Sequence, residues 1–171
     1  MLNGVIVIST ETYKSIVGFF KRNKPCNTVL KLCYNFLPLI MFVSYGILIV
    51  FMFFSDIKIF ARITLSPLTV FAIVTFFRKI FNRPRPYEKF ATPSVFGKDK
   101  SGESMPSRHT ACAFIIAMAF MYVSIPLGIA YLIISALIMI SRVLAGVHFI
   151  SDVIAGMAIS LLYGYFSFFI I

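Results

Sequence analysis

Acidic side chains are scarce in this chain, which has 6 Asp and Glu against 16 Lys and Arg and a formal net charge of +10. The sequence therefore offers no cluster of carboxylates for Mg²⁺ or Ca²⁺, which require several oxygen ligands. The three cysteines, at positions 26, 33 and 112, do not have the spacing of metal ligands, and we expect Cys112 to be a buried structural thiol. We accordingly expect no metal site and no cofactor.

Polar residues are also few, since 60% of the 171 residues are hydrophobic and the mean hydropathy is +0.94. A soluble domain of this length would need more polar residues to cover its surface. No stretch alternates with the period of two that is typical of a barrel strand. These features predict an all-α fold, an integral membrane helical bundle in which each helix satisfies its own backbone hydrogen bonds.

The basic excess requires an anionic partner. Nucleic acid would need a soluble basic domain, which the sequence does not contain, so we expect no nucleic-acid binding. A lipid surface or an anionic substrate fits the charge better.

The long apolar runs predict five membrane spans. They lie near 36–54, 59–77, 106–124, 126–142 and 148–171. The first is uncharged for 19 residues, which suffices to cross about 30 Å of hydrocarbon. Residues 110–141 carry no charge, but one helix of that length would measure about 48 Å. The break is predicted at Pro126, a residue that favours a helix start.

The N-terminal part has a different pattern. Residues 1–31 mix apolar positions with basic residues, and Ile16, Val17, Phe19 and Phe20 can form the apolar face of a helix lying in the membrane interface. The division predicted is an interfacial segment, 1–31, followed by one membrane domain, 32–171. Charged residues interrupt the N-terminal apolar positions, so we expect no cleavable signal peptide.

The order of the spans brings three polar segments to one side of the membrane. The polar segment 78–106 separates the second span from the third. Two further crossings return the chain to the same side, where the fourth span ends and the fifth begins. Segments 78–86, 105–111 and 141–152 are therefore predicted to share one membrane face.

The stretch "SRVLAGVHFISD" at 141–152 carries three ionisable side chains. His148 and Asp152 are four residues apart, so on a helix they lie on one face and can touch. A carboxylate at one imidazole nitrogen fixes the tautomer and leaves the other nitrogen free to attack or to accept a proton. Gly146 permits a tight turn that brings Arg142 towards His148, and the fork of Arg142 suits a phosphate. A purely structural His–Asp pair is the alternative.

The stretch "MPSRHTA" at 105–111 opens the third span. Pro106 and Ser107 resemble a helix start, where free amides and the positive dipole end attract an anion. Ser107 can offer a hydroxyl, Arg108 a charge and His109 a proton. An ordinary capped helix is the alternative.

The stretch "RKIFNRPRP" at 78–86 alternates Arg and Pro directly after the second span. Proline keeps the chain extended, so Arg78 and Arg85 are presented on a stiff backbone. A positive flank that anchors the helix end is the alternative.

Taken together, the three segments predict a site for phosphoryl transfer. It would contain three arginines for an oxyanion and two histidines: Arg78, Arg85, Arg142, His109 and His148. Transfer through a covalent intermediate needs one histidine to attack phosphorus and another to protonate the departing oxygen. The arginines would stabilise charge on the equatorial oxygens in place of a metal.

The three segments resemble those of the type 2 phosphatidic acid phosphatase family of membrane lipid phosphatases, whose site is shared with vanadium haloperoxidases. The family pattern is Lys, six residues, Arg-Pro; then Pro-Ser-x-His; then Ser-Arg, five residues, His, three residues, Asp. The second and third parts are complete in Pro106, Ser107 and His109 and in Ser141, Arg142, His148 and Asp152. The first part departs from it, because the position seven before Arg85 is Arg78 and Lys79 is one residue out of register.

The resemblance covers roughly residues 55–171 and implies a role for each matching residue. His148 would be the nucleophile that forms a phosphohistidine, Asp152 would orient it, and His109 would be the general acid. The phosphate ligands would be Arg78, Arg85, Ser107 and Arg142, with Arg108 adding charge. The family usually has six spans, whereas this sequence predicts five.

The resemblance implies a membrane lipid with a terminal phosphate or diphosphate as substrate. Undecaprenyl (isoprenyl) diphosphate and phosphatidylglycerol phosphate are the substrates we expect first, with phosphatidic acid and lipid A 1-phosphate as alternatives. From a different class, a non-enzymatic anion or lipid transport protein would use the arginines without hydrolysis, and a structural subunit would tolerate loss of His109.

A multi-pass protein of the inner or plasma membrane is expected, but two signals disagree on its orientation. The basic residues of the N-terminal segment and of 78–106 favour a cytoplasmic position for the site. The resemblance implies a site outside the cytoplasm, which is the orientation we predict.

Overall fold

The computed structural model describes residues 9–170, and every regular element in this range is helical. The elements are α1 (Thr10–Arg22), α2 (Lys24–Lys31), α3 (Leu37–Ser55), α4 (Ile57–Phe81), α5 (Pro86–Lys89), α6 (Arg108–Val123), α7 (Ile125–Leu144) and α8 (Ile150–Tyr165). Two π-helical turns, Leu32–Phe36 and Phe166–Ile170, extend α2 into α3 and prolong α8. The predicted all-α fold is confirmed, and residues 1–8 of the predicted interfacial segment lie outside the described range.

The predicted membrane spans correspond to five helices. Within residues 9–170, four helices are long and apolar enough to cross a membrane, and they contain α3, α4, α7 and α8. The remaining span, α6, has 16 residues and is therefore about 24 Å long. The helix that contains the second predicted span, α4, extends beyond 59–77 to Phe81 and includes Arg78 in its last turn.

Helix α6 lies at the centre of the bundle and packs against α4, α7 and α8. Most of its side chains are buried, among them Ala111, Ile115 and Ala119, as expected for a helix that is apolar on every side. The other long helices carry exposed apolar side chains. Their outer faces are suited to lipid.

The close crossing of α8 over the start of α6 depends on Gly156. A Cβ atom at this position would lie 2.7 Å from the carbonyl oxygen of Ser107. Small residues permit such backbone approach in helix bundles. The crossing brings the start of α8 directly against the start of α6.

The N-terminal helices pack on the same end of the bundle. On α1, Tyr13 and Val17 are buried, whereas Phe19 is exposed. Tyr13 and Val17 join a cluster with residues of the polar loop and of the turn after α7. Helix α2 continues through the π-helical turn into α3, so the chain remains helical across position 31.

Candidate active site

A pocket of about 380 Å³ lies where the three polar segments meet. Its lining consists of Tyr34, Asn35, Pro38, Arg78, Arg85, Tyr87, Lys98, Lys100, Arg108, His109, Arg142, Val147 and His148. Six of the eight residues predicted for the site are in this lining, and the other two, Ser107 and Asp152, are buried. The structure therefore brings the three segments together at one pocket.

The predicted contact between His148 and Asp152 is present, but the two residues do not lie on one helix as the spacing had indicated. Helix α8 begins at Ile150, so His148 lies in the connection before the helix. The contact forms because the side chain of Asp152 turns back to the helix start, where Oδ2 accepts the N–H of Phe149 at 2.9 Å. The same oxygen lies 3.5 Å from Nδ1 of His148. The left-handed backbone of Gly146, with φ of 74°, makes the preceding turn.

Two residues that the sequence analysis missed also hold Asp152. Arg83 donates from Nη1 to Oδ1 of Asp152 at 2.7 Å and to the Ser151 hydroxyl at 2.7 Å. Ser104 donates its hydroxyl to Oδ2. The guanidinium of Arg83 also lies over the ring of Phe149, 4.3 Å from its centroid. The "RPRP" repeat was the available signal, because Arg83, like Arg85, is followed directly by a proline.

His148 is 4% exposed, and its environment determines its charge. The pKa of His148 is lowered to about 4, chiefly because burial disfavours the imidazolium. The hydrogen bond with Asp152 acts in the opposite direction, and Arg85 lowers the pKa further. The imidazole is therefore neutral at pH 7. With Nδ1 towards the carboxylate, the lone pair of Nε2 is free to attack.

Arg78 and Arg142 are only 2% and 3% exposed. Each donates one hydrogen bond to a backbone carbonyl, Arg78 to Pro106 at 2.9 Å and Arg142 to Tyr34 at 2.7 Å. In both residues the buried Nε has no protein partner among the described residues. A buried unpaired donor on a cation is unfavourable, and an oxyanion in the pocket would provide its acceptor.

Arg85 is fixed by the polar loop. Its Nε donates to the carbonyl of Gly102 at 3.0 Å and its Nη1 to that of Val147 at 3.3 Å. Glu88 folds the loop back on itself, because it accepts from the backbone N–H of Arg85 and from the hydroxyl of Ser101, both at 2.7 Å. The bond from Ser101 is the largest of the causes that lower the pKa of Glu88.

At the start of α6, one of the predicted site residues is buried and two line the pocket. Ser107 is the N-cap residue of α6, as predicted, but it is fully buried and is not part of the pocket lining. Its N–H donates to the carbonyl of Asp152 at 2.9 Å, and its hydroxyl accepts from Thr110 at 3.1 Å. His109 is exposed and Arg108 is half-buried, and both line the pocket.

The structure suits an anion better than a metal. Within residues 9–170 there is no group of three His, Cys, Asp or Glu side chains that could hold a metal ion. The pocket lining instead holds four arginines and two lysines. Such a site can bind a phosphoryl group, offer a neutral imidazole to it and protonate a departing oxygen.

Two solved structures are similar to this one. Aquifex aeolicus LpxE matches at a TM-score of 0.68 with 22% identity, covering 98% of each chain. The transmembrane PAP2-type phosphatidylglycerolphosphate phosphatase of Bacillus subtilis matches at 0.57 with 23% identity, covering 92% of this chain and 83% of that one. At these identities, the likenesses establish the fold.

Sequence comparison identifies the family. No curated protein matches this sequence. The PAP2 superfamily does match, over residues 59–171, and that range contains all three polar segments of the pocket. Because the match spans well over half of the chain, the protein belongs to the PAP2 superfamily.

Proposed function

We propose that the protein is a membrane phosphatase that removes the terminal phosphate of a lipid through a phosphohistidine at His148. The observation that carries this proposal is the single pocket that holds His109 and His148 together with four arginines. Three distant segments supply these side chains, and phosphoryl transfer uses all of them.

In the first step, Nε2 of His148 attacks phosphorus and the bond to the leaving oxygen breaks. His109, at the exposed side of the pocket, gives that oxygen a proton. Arg78, Arg85 and Arg142 stabilise the charge that develops on the equatorial oxygens. In the second step, water attacks phosphorus, His109 takes its proton, and the P–N bond to His148 breaks, which releases inorganic phosphate and restores the imidazole.

We propose that the reaction needs no metal, because fixed guanidiniums supply the charge that a metal would bring. Phosphate release from a detergent-solubilised lipid substrate is measured with no added metal and in excess chelator. Undiminished turnover is expected. Loss of turnover on chelation, with recovery on addition of a divalent ion, would contradict the cation-only site.

The substrate we propose first is an isoprenyl diphosphate, with phosphatidylglycerol phosphate next. Lys98 and Arg108 line the pocket together with the three buried arginines. This is more positive charge than one transferred phosphoryl group requires, so it suits a leaving group that is itself anionic. Phosphatidic acid and lipid A 1-phosphate remain the alternatives.

A lipid panel tests the substrate. Phosphate release is compared for an isoprenyl diphosphate, phosphatidylglycerol phosphate, phosphatidate and lipid A, with the wild type and His148→Ala side by side. The diphosphate is expected to give the highest kcat/KM, and His148→Ala is expected to be inactive on every lipid. Full turnover by His148→Ala would remove the nucleophile assignment. Lipid binding or transport without phosphate release would favour the non-enzymatic class.

We propose that the protein is a multi-pass protein of the inner or plasma membrane, with its site outside the cytoplasm. The exposed apolar faces of the long helices would let a lipid reach the pocket from the side. Single cysteines introduced at exposed positions of the polar loop, such as Lys98 and Asp99, test the orientation in a background without the native cysteines. Labelling of intact cells by a membrane-impermeant thiol reagent is expected. Labelling only after permeabilisation would place the site in the cytoplasm.

A further inference from the structure

One arginine of the pocket is held by a residue outside the range that matches the PAP2 superfamily. Arg142 donates from Nη2 to the backbone carbonyl of Tyr34 at 2.7 Å. The guanidinium carbon also lies 4.0 Å from the centroid of the Tyr34 ring. Tyr34 thus covers one face of the guanidinium and binds one of its edges, and it lies upstream of the match at 59–171.

The sequence explains why this carbonyl can accept a hydrogen bond from a side chain. Tyr34 lies in the π-helical turn Leu32–Phe36, and the residue four positions later is Pro38. In an α-helix the carbonyl of residue 34 would accept the N–H of residue 38, but proline has none. Pro38 therefore leaves this carbonyl without its α-helical donor, and Arg142 supplies one. Single π-helical turns are frequent at functional sites.

The Tyr34 contacts leave the rest of the guanidinium directed at the pocket. Arg142 and Tyr34 both line it, as do Pro38 and His148. Nε of Arg142 is buried and has no protein partner among the described residues. An arginine side chain is otherwise free to adopt many rotamers. A fixed stacking partner and a fixed acceptor therefore reduce the conformational entropy that Arg142 loses when an anion binds.

The N-terminal segment is itself attached to the turn that carries the nucleophile. The hydroxyl of Tyr13 donates to the carbonyls of Gly146 and Thr92, each at 3.2 Å. The rings of Tyr34 and Phe96 pack at a centroid distance of 4.9 Å. The polar loop therefore contacts Tyr34 directly through Phe96, and Tyr13 attaches α1 both to that loop and to the turn after α7.

We propose that Tyr34 and Pro38 are positioning residues for phosphate binding. The ring of Tyr34 and its backbone carbonyl, which has no α-helical donor, hold the guanidinium of Arg142 in the orientation that binds the transferred phosphoryl group. This inference rests on the proposed function for its substrate, but it can be tested on inorganic phosphate without turnover.

The test uses three variants and two measurements. Tyr34→Phe keeps the ring and the carbonyl, Tyr34→Leu removes the ring, and Pro38→Ala returns an N–H that competes for the carbonyl. Binding of inorganic phosphate is measured by the shift it causes in thermal unfolding, and kcat and KM are measured with the best lipid of the panel. Pro126→Ala is the matched control, since Pro126 is exposed in the first turn of α7, far along that helix from Arg142.

The wild type, Tyr34→Phe and Pro126→Ala are expected to bind phosphate equally. Tyr34→Leu and Pro38→Ala are expected to bind it several-fold more weakly and to raise KM by a similar factor, with a smaller effect on kcat. In an Arg142→Ala background, Tyr34→Leu is expected to cause no further loss, because the two residues act through one guanidinium.

Two outcomes would overturn the inference. One is normal phosphate binding and normal KM in folded Tyr34→Leu or Pro38→Ala. The other is a further loss of phosphate binding when Tyr34→Leu is added to Arg142→Ala. If Tyr34→Leu does not fold, Pro38→Ala against Pro126→Ala decides the question. If the wild type turns over no lipid, the proposed function fails, whereas the phosphate shifts still decide the role of Tyr34.

Discussion

Arg83 and Asp152 form the shortest ion pair at the candidate site, with Nη1 of Arg83 2.7 Å from Oδ1 of Asp152. The carboxylate is fully buried, and its other oxygen faces Nδ1 of His148 at 3.5 Å. A buried carboxylate requires a cation and hydrogen bonds to remain charged. Arg83 meets this requirement, so the neutral imidazole of His148 does not have to.

Arg83→Gln is therefore expected to lower both stability and activity. Removing one partner of a buried ion pair costs about 3 kcal/mol, and the partly exposed position of Arg83 places the expected loss below that figure. The measurements are thermal unfolding in detergent and phosphate release. Lys79→Gln is the control, because it removes one positive charge from an exposed position at the end of α4. Equal behaviour of the two variants would contradict a special role for Arg83.

The pH dependence of stability follows from the pKa of His148, which is lowered from 6.5 to about 4. Between these values the unfolded chain binds a proton at this residue and the folded protein does not. The contribution of His148 to the free energy of unfolding is therefore fully present above pH 6.5 and is lost as the pH falls towards 4. It amounts to about 3 kcal/mol.

Unfolding of the wild type and of His148→Gln is compared at several values between pH 4 and pH 7. The wild type is expected to lose more stability on acidification than His148→Gln. Parallel pH profiles of the two proteins would argue against a buried neutral imidazole at position 148.

Arg78 occupies the position at which the family pattern has Lys. Arg78→Lys keeps the charge and is expected to retain activity within about tenfold, whereas Arg78→Met is expected to lose about 100-fold, as for a charged hydrogen bond worth 1.5–3 kcal/mol. The measurement is kcat/KM with the best lipid of the panel. Full activity of Arg78→Met would remove this residue from the phosphate site.

The need for His109 is expected to depend on the leaving group. A lipid alkoxide needs a proton as it departs, and loss of a general acid costs about 10²- to 10⁴-fold. A leaving phosphate is far less basic and needs that proton less. Turnover by His109→Ala is therefore expected to fall more with phosphatidate than with an isoprenyl diphosphate. Equal losses on both lipids would argue against a role for His109 as the general acid.

The amino-acid pattern alone predicts the helical membrane fold and the end of the bundle at which the pocket lies. Apolar runs long enough to cross the membrane predict the number of crossings. The parity of those crossings places 78–86, 105–111 and 141–152 on one face. That argument uses only the lengths and the order of the spans and needs no side-chain contacts. The pocket lining, which contains residues of all three segments, agrees with it.

The side chains that hold His148, Asp152 and Arg142 in place could be identified only from the folded structure. The Arg83–Asp152 pair depends on the path of the loop between α4 and α6, and the contact of Tyr34 with Arg142 depends on how the N-terminal helices pack. Ser107, predicted as a phosphate ligand, is fully buried at the point where Gly156 lets α8 approach the start of α6. Contacts of this kind join residues far apart in the chain, so the spacing of nearby residues cannot predict them. The apolar run of a membrane span is a local pattern, so it can be recognised directly in the sequence.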